Sequence, residues 1–196
     1  IIRDSSEYYP IYAEREFTYN KIKQGNRNAL LYTDPTVDGL KTGHTKDAGY
    51  CLVTSSKRNG MRLITVMLNT NSMQARADQT RTLLNWGFAN FEKVTPIQPN
   101  AQVATAKVSF GKADTVAAGL ESPWALTVPR GQQVKTSVQI KPDLQAPVAK
   151  GAVIGKVVAE SNGKPVGEAP LVAQAEVERS GWLLRIWQHL LRLFGK

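Results

Sequence analysis

The 196-residue chain contains a single cysteine, Cys51. One cysteine excludes an internal disulfide framework and any multi-cysteine metal site. Cys51 follows Tyr50 in a β-prone run, where a buried and inert thiol is the expected state. There are only two histidines, His44 and His189, far apart in sequence, so neither a metal centre nor any other cofactor is expected. No run of about 18 apolar residues occurs, so no helix is expected to span a membrane. The chain begins Ile1-Ile2-Arg3-Asp4, with neither an initiator methionine nor the basic-then-apolar run of a signal peptide. It reads as a sequence that starts within a longer protein.

What the chain has in excess is positive charge. Its formal charge is +9 and its sequence pI about 9.7, which draws it toward anionic partners such as nucleic acid, anionic lipid or an acidic polymer. The lysines and arginines are scattered, with no basic block and no aromatic-and-basic motif, so no nucleic-acid partner is expected. An anionic lipid surface fits better.

Composition changes along the chain. Up to about Phe91 it mixes aromatic, amide and charged residues, whereas Pro96 to Glu178 is rich in Val, Ala, Gly, Pro and Lys, which suggests a domain boundary. Tyr8 to Tyr19 reads as a short helix followed by an extended stretch, and Leu30-Leu31-Tyr32 as a short extended apolar piece between turns. Val37 to Gly43, Tyr50 to Ser55 and Met61 to Leu68 read as three successive antiparallel strands. Asn59-Gly60 is a hairpin signal between the last two. Asn71 or Ser72 can cap a helix, because a side-chain oxygen there accepts from an otherwise unpaired amide of the first turn. Ala77, Leu84, Phe88 and Phe91 then share one face of a helix running to about Phe91, which would cover the sheet. Gly87 weakens its end. Beyond Pro96 the period falls to two, at Val134 to Ile140 and Val153 to Val158. Turn residues at Pro129 to Gly131, Lys141 to Asp143 and Asn162-Gly163 complete the pattern of a small all-β sandwich or barrel.

Lys41-Thr42-Gly43-His44 closes the first strong strand. A phosphate-binding loop needs glycine directly before the lysine, and Leu40 stands there, so that reading fails. On the triplet alone, an ordinary strand end with a surface lysine competes. The surroundings carry more information. Asp38-Gly39-Leu40-Lys41-Thr42-Gly43-His44-Thr45, Ala48-Gly49-Tyr50, Met61-Arg62-Leu63-Ile64, Arg76 and Leu83-Leu84-Asn85-Trp86-Gly87-Phe88 resemble the penicillin-binding, low-molecular-mass D-Ala-D-Ala carboxypeptidases. So do Leu144, Ala146-Pro147, Pro170-Leu171-Val172 and the terminal amphipathic segment, so the resemblance covers nearly the whole chain.

The resemblance implies an α+β fold. Residues 1–91 would be the C-terminal part of a β-lactamase/transpeptidase-like catalytic domain, antiparallel strands with a covering helix. Residues 92–178 would form a small all-β domain and 179–196 an amphipathic membrane-anchor helix. It also implies serine acyl transfer, in which a serine of a Ser-x-x-Lys element attacks the D-Ala-D-Ala bond and water releases the acyl-enzyme. On matching positions, Lys41 supplies charge and proton relay, and Thr42 donates to the substrate's terminal carboxylate. Gly43 lets the substrate backbone pair closely with the strand. The backbone N–H of His44 is one arm of the oxyanion hole. Arg76 matches the arginine that helps hold the terminal carboxylate, its competing reading being a solvated helix arginine. A Ser-His-Asp triad built on His44 is disfavoured, because the family activates its serine with a lysine. No convincing Ser-x-x-Lys helix start and no Ser-x-Asn lie in these residues. Ser161-Asn162-Gly163-Lys164 satisfies the first string but reads as a hairpin tip. The chain alone is therefore expected to lack the nucleophile and to be inactive.

From Ser180 on, Arg185, Gln188, His189, Arg192 and Lys196 share a narrow polar stripe on a helix, and apolar residues fill the rest. About fifteen residues at about 1.5 Å each reach about 22 Å, too short for a hydrocarbon core of about 30 Å. Trp182, Ile186, Trp187, Leu190 and Phe194 instead suit burial at the headgroup boundary, where the basic residues meet anionic phosphates. A core or dimer-forming helix is the alternative. The expected partners are thus a peptidoglycan pentapeptide, β-lactams as inhibitors and anionic lipid. The expected place is the periplasmic face of the bacterial inner membrane, held peripherally. Two other classes compete: a non-catalytic wall-binding or scaffold protein anchored at the membrane surface, and a β-lactamase, against which the β domain and anchor argue.

Overall fold

Local sequence accounts for most elements of the computed structural model, which describes residues 1–99 and 101–181. Pro10 sits at the start of a 3-10 turn, Tyr9–Ala13, where its fixed φ is tolerated. A hairpin of β1 (Glu16–Tyr19) and β2 (Ile22–Gly25) follows, its tip formed by Asn20 and Lys21 at φ 48° and 63°. The short helix α1 (Leu30–Thr33) leads into β3 (Val37–Thr45), β4 (Gly49–Arg58) and β5 (Met61–Thr70). These pair antiparallel in the order β3-β4-β5. Helix α2 (Met73–Asn90) packs on the sheet through Ala77 and Leu84.

Two expectations are corrected. Leu30-Leu31-Tyr32 is helical, not extended. Asn28 starts that turn by accepting from the Leu30 amide through its Oδ1 at 3.2 Å, and a three-residue apolar run carries no period to reveal it. Phe91 is not on the helix. It opens β6 (Phe91–Ile97) with extended φ −121° and ψ 154°, its ring edge-on to Trp86 at 5.8 Å. Gly87 also has a role beyond weakening the helix. It is buried, and a Cβ there would lie 2.7 Å from Leu63 Cδ1, so its absence lets helix and strand approach closely.

The chain forms two compact units, Ile1–Glu92 and the part from Lys93 on. The core of the first is Leu30, Leu31, Val37, Leu52, Ala77 and Leu84, each large side chain contributing about 1.5–3 kcal/mol by leaving water. In the second, β7 (Gln102–Lys107), β8 (Thr115–Gly119), β10 (Lys135–Ile140), β11 (Val153–Ser161) and β12 (Lys164–Ala173) form one antiparallel sheet in the order β10-β11-β12-β8-β7. Strand β9 (Trp124–Pro129) pairs with β6. Asp143, Asn162 and Gly163 take φ of 53°, 52° and 72° in its turns. One apolar cluster gathers around Val108, Ala118 and Ile154, and a second around Leu120, Val157 and Leu171. Among the described residues this unit has no helix. The architecture is thus mostly antiparallel sheet with few helices. The terminal segment, with Trp182, Ile186, Trp187, Leu190 and Phe194, lies outside the described residues.

Candidate active site

Strand β3 is hydrogen-bonded to β4 on one side only. Among the described residues, its other edge therefore offers unpaired backbone groups to an extended ligand. Lys41, Thr42, Gly43 and His44 occupy the middle and end of this strand, in register with Val53, Leu52, Cys51 and Tyr50 of β4. Three further pieces of chain converge on it.

The first is the loop before α1. Asn28 is 2% exposed, and its Nδ2 donates to the Gly39 carbonyl at 3.2 Å while its backbone N–H donates to Asn26 Oδ1 at 3.0 Å. This clamp fixes the loop against β3 and leaves Arg27 between the two asparagines. The second is the 3-10 turn. Tyr9 Oη donates to Asp38 Oδ1 at 2.9 Å, and Arg62 Nη1 reaches the same oxygen at 2.7 Å and Ser55 Oγ at 2.5 Å. Burial raises the Tyr9 pKa above its ordinary value, so the phenol stays a donor. A Cβ at Gly39 would meet Tyr9 Oη at 3.0 Å and Tyr12 Cβ at 3.4 Å, so glycine there admits the turn.

The third is the first turn of α2. Ser72 caps it, its Oγ accepting from the Ala75 amide at 3.0 Å, and Arg76 follows. Arg76 is 4% exposed, so it is not a solvated helix arginine. Its Nη1 donates to the Cys51 carbonyl at 3.3 Å and its Nη2 to the Arg27 carbonyl at 2.9 Å. Burial pulls the guanidinium pKa down; Cys51 and Tyr50 push it back, and the charge of Arg27 lowers it again. Among the described residues no carboxylate pairs with Arg76.

These pieces enclose an open cleft of about 680 Å³ that takes in Tyr12, Arg27, Lys41 to His44, Tyr50 and Arg76. Among the described residues no aspartate or glutamate lines it, whereas Lys41, Arg27 and Arg76 all do. A cleft with several cations and no acidic counterpart favours an anion. Lys41 Nζ donates to the Thr42 carbonyl at 2.7 Å, which leaves two of its donors for a ligand. The structure thus gathers Lys41, Thr42, Gly43, His44 and Arg76 around one space. The His44 imidazole is exposed and packs on Tyr50 with ring centroids 3.9 Å apart. Among the described residues it engages no carboxylate. Cys51 is half-buried, its thiol directed to the Ala48 carbonyl at 3.2 Å.

Ser161 of the Ser-x-x-Lys string is at the β11–β12 hairpin, its Oγ bonded to Gln132 Oε1 at 2.9 Å. A second such string, Ser109 to Lys112, falls between β7 and β8, and Lys112 is paired with Glu178. Both belong to the second unit and neither opens a helix. Sequence reasoning missed Arg27 and Tyr50 as cleft residues. Asn-Arg-Asn marks a turn, but only the Asn28–Gly39 contact reveals which strand that turn covers. Among the described residues no group of three or more potential metal ligands occurs, and no helix is long and apolar enough to cross a membrane.

Comparison with known proteins gives this geometry a context. The family described as D-alanyl-D-alanine carboxypeptidase matches residues 1–72, and that described as Penicillin-binding protein 5, C-terminal domain, matches 91–179. D-alanyl-D-alanine carboxypeptidase DacC of Escherichia coli (strain K12) is 42% identical over 198 residues, 99% of this chain and 50% of its own. DacA of Haemophilus influenzae is 41% identical over 197 residues, 97% of this chain and 50% of its own. Penicillin binding protein 5 from Haemophilus influenzae has a similar structure, with TM-score 0.78 and 42% identity over 91% of this chain and 54% of that one. A peptidoglycan synthesis regulatory factor (PBP3) from Streptococcus pneumoniae superposes with TM-score 0.76 at 26% identity, covering 90% and 54%. The chain spans about half the length of the curated relatives it matches. Carrying in sequence order the signatures of the carboxypeptidase and of the C-terminal domain, the chain is similar over nearly its whole length to the low-molecular-mass penicillin-binding D-alanyl-D-alanine carboxypeptidases.

Proposed function

We propose that residues 1–92 supply one wall of the active site of a serine-type D-Ala-D-Ala carboxypeptidase, as part of a transpeptidase-like α+β domain completed by residues beyond this chain. The observation that carries the reading is the cleft along the open edge of β3, acid-free among the described residues, where Lys41 and a buried Arg76 with no carboxylate partner among them line the same space. A peptide ending in D-Ala-D-Ala is an extended chain with a terminal carboxylate, and this edge suits it. Its backbone pairs with β3 at Gly43, its carboxylate meets Thr42 and the guanidinium of Arg76, and the scissile carbonyl turns toward the His44 amide. Attack by the serine forms the acyl-enzyme and expels D-alanine; water then frees the shortened peptide. Lys41 provides the positive charge and a proton path, and the His44 N–H stabilises the oxyanion. β-Lactams, which acylate the same serine, act as inhibitors.

The basic terminal segment, with Trp182, Ile186, Trp187, Leu190 and Phe194 on its apolar side, places the enzyme on anionic lipid at the periplasmic face of the inner membrane. There the substrate is the peptidoglycan pentapeptide. The test is made on the full-length protein, with the residues that precede this chain. A labelled penicillin should give a persistent covalent adduct, and a pentapeptide should lose one D-alanine. Lys41→Ala should lower acylation by about 100-fold or more. Absence of any adduct would favour the scaffold reading, and rapid loss of the adduct a β-lactamase. The 196-residue chain by itself should remain unlabelled.

A further inference from the structure

One aromatic ring of the cleft packs on His44 and lies within cation–π range of Arg76. Tyr50, near the start of β4, lies in register with His44 on one neighbour and Thr70 on the other. Its ring centroid is 3.9 Å from that of His44, with 41° between the planes, and the Arg76 guanidinium carbon is 5.9 Å from the same centroid. Its carbonyl accepts from Thr70 Oγ1 at 2.8 Å, so the backbone beneath the ring is fixed from β5.

The Arg76 side chain needs such a contact. An arginine has five N–H donors in one plane. Here two nitrogens reach backbone carbonyls, Cys51 on one side and Arg27 on the other. In-plane hydrogen bonds set the direction of the fork but hold its tilt weakly, because rotation out of the plane is opposed only by what lies against the face. A tyrosine ring within about 6 Å attracts the cation and restrains that tilt. The same ring carries the exposed His44 imidazole, at the end of the strand whose backbone faces the scissile carbonyl.

We propose that Tyr50 is a positioning residue of the carboxylate subsite, its ring holding the guanidinium of Arg76 and the side chain of His44 in the arrangement a terminal carboxylate requires. The inference rests on the carboxypeptidase reading above. It acts through Arg76, so its signature is weaker binding of carboxylate-bearing ligands, not loss of the chemical step.

The test uses the full-length protein, with the active fraction counted by penicillin titration so that misfolded material does not enter the rates. Tyr50→Leu should raise KM for a D-Ala-D-Ala peptide about five- to tenfold, with kcat moving far less. Tyr50→Phe, which keeps the ring, should restore KM to within about twofold. In an Arg76→Leu background, adding Tyr50→Leu should raise KM no further, because the group it positions is already gone. Tyr50→Val, suited to a strand, replaces the leucine variant should that one not fold. An unchanged KM in the leucine variant, a phenylalanine variant as impaired as leucine, or additive effects in the double variant would overturn the proposal. Failure of the unmutated protein to bind penicillin would overturn the carboxypeptidase reading and this inference with it.

Discussion

Asp34 joins the loop before β3 to the rest of the first unit. Its Oδ1 accepts from the Thr36 amide at 2.9 Å and the Thr36 hydroxyl at 2.6 Å, and its Oδ2 from Arg58 Nη2 at 2.8 Å. Arg58 in turn reaches Asn85 Oδ1 at 2.9 Å and covers the Phe88 ring at 4.5 Å, tying the loop to α2. Burial alone pushes the Asp34 carboxyl up, but the Thr36 hydrogen bonds and the Arg58 charge reverse this and leave it below the ordinary value. A depressed folded pKa means stability that is present above the unfolded value of about 3.9 and is lost as pH falls through the folded one. Asp34→Asn should therefore cost about 1–3 kcal/mol at neutral pH, and the gap to the unmutated protein should close below about pH 4. Thermal midpoints at the two pH values check it, and a gap that persists in acid contradicts the assignment. Gly43 invites the opposite pattern. A Cβ there would sit an ordinary 3.7 Å from Cys51 Cβ, so the fold does not demand glycine, but in the proposed binding mode the substrate backbone pairs with β3 at this residue, where an added methyl would crowd it. Gly43→Ala should shift stability by no more than about 0.5 kcal/mol while slowing penicillin acylation of the full-length protein about 100-fold; unimpaired acylation would show that the ligand does not lie along β3. At this scale the sequence displayed Lys41 to His44 as a string but could not display the burial of Arg76. A helix arginine reads as solvated until its carbonyl partners, 25 and 49 residues away in sequence, are brought to it.

Elements were legible wherever their signal was local. The Asn59-Gly60 turn takes φ of 49° and 76°, and Ser72 rather than Asn71 provides the cap. Ser72→Ala should cost about 1 kcal/mol by leaving an amide of the first turn unpaired, read as a lower denaturation midpoint, and no change would mean that the cap bond is idle. The face of α2 was less plain, because its buried positions include Arg76 and Thr80 beside Ala77, Leu84 and Gly87. Polar groups on the inner face blur the apolar period, and Thr80 is satisfied by its own helix, donating to the Arg76 carbonyl at 2.7 Å. Strand β11 carries its own constraint at Gly155, where a register shift falls and a Cβ would lie 2.5 Å from the Gln139 carbonyl oxygen of β10. Backbone cannot yield as a side-chain tip can, so Gly155→Ala should destabilise the second unit by about 1–3 kcal/mol. Amide hydrogen exchange across Lys135–Ile140 should accelerate in this variant; unaltered protection would show that the strands shift at little cost.

Over the whole molecule, two kinds of information separate. The change from mixed composition to a Val-, Ala- and Gly-rich stretch accompanies the change from a helix-covered sheet to strands alone, because a period of two with frequent turn residues supports little else. The arrangement of strands within the second unit, with β12 beside β8, was not legible, since a non-sequential pairing leaves no mark in neighbouring residues. The charge of the chain raises a question that the cleft answers only in part. Three cations lining the cleft account for local attraction, whereas every charged residue after Glu178 is basic, and these stand beside the apolar residues named for lipid. If that segment anchors the protein, binding should combine apolar burial with attraction to anionic headgroups. The full-length protein should float with vesicles containing anionic phospholipid. A form ending at Glu178 should stay in the dense fraction, and Trp187→Glu should weaken flotation without affecting penicillin acylation. Raising the salt to about 1 M, where screening acts within about 3 Å, should weaken binding but not abolish it, because the apolar contribution survives. Equal flotation of the full and shortened proteins would remove the segment from the membrane and leave a core or dimer contact as its role. Flotation that vanished entirely with salt would reduce it to an electrostatic tether.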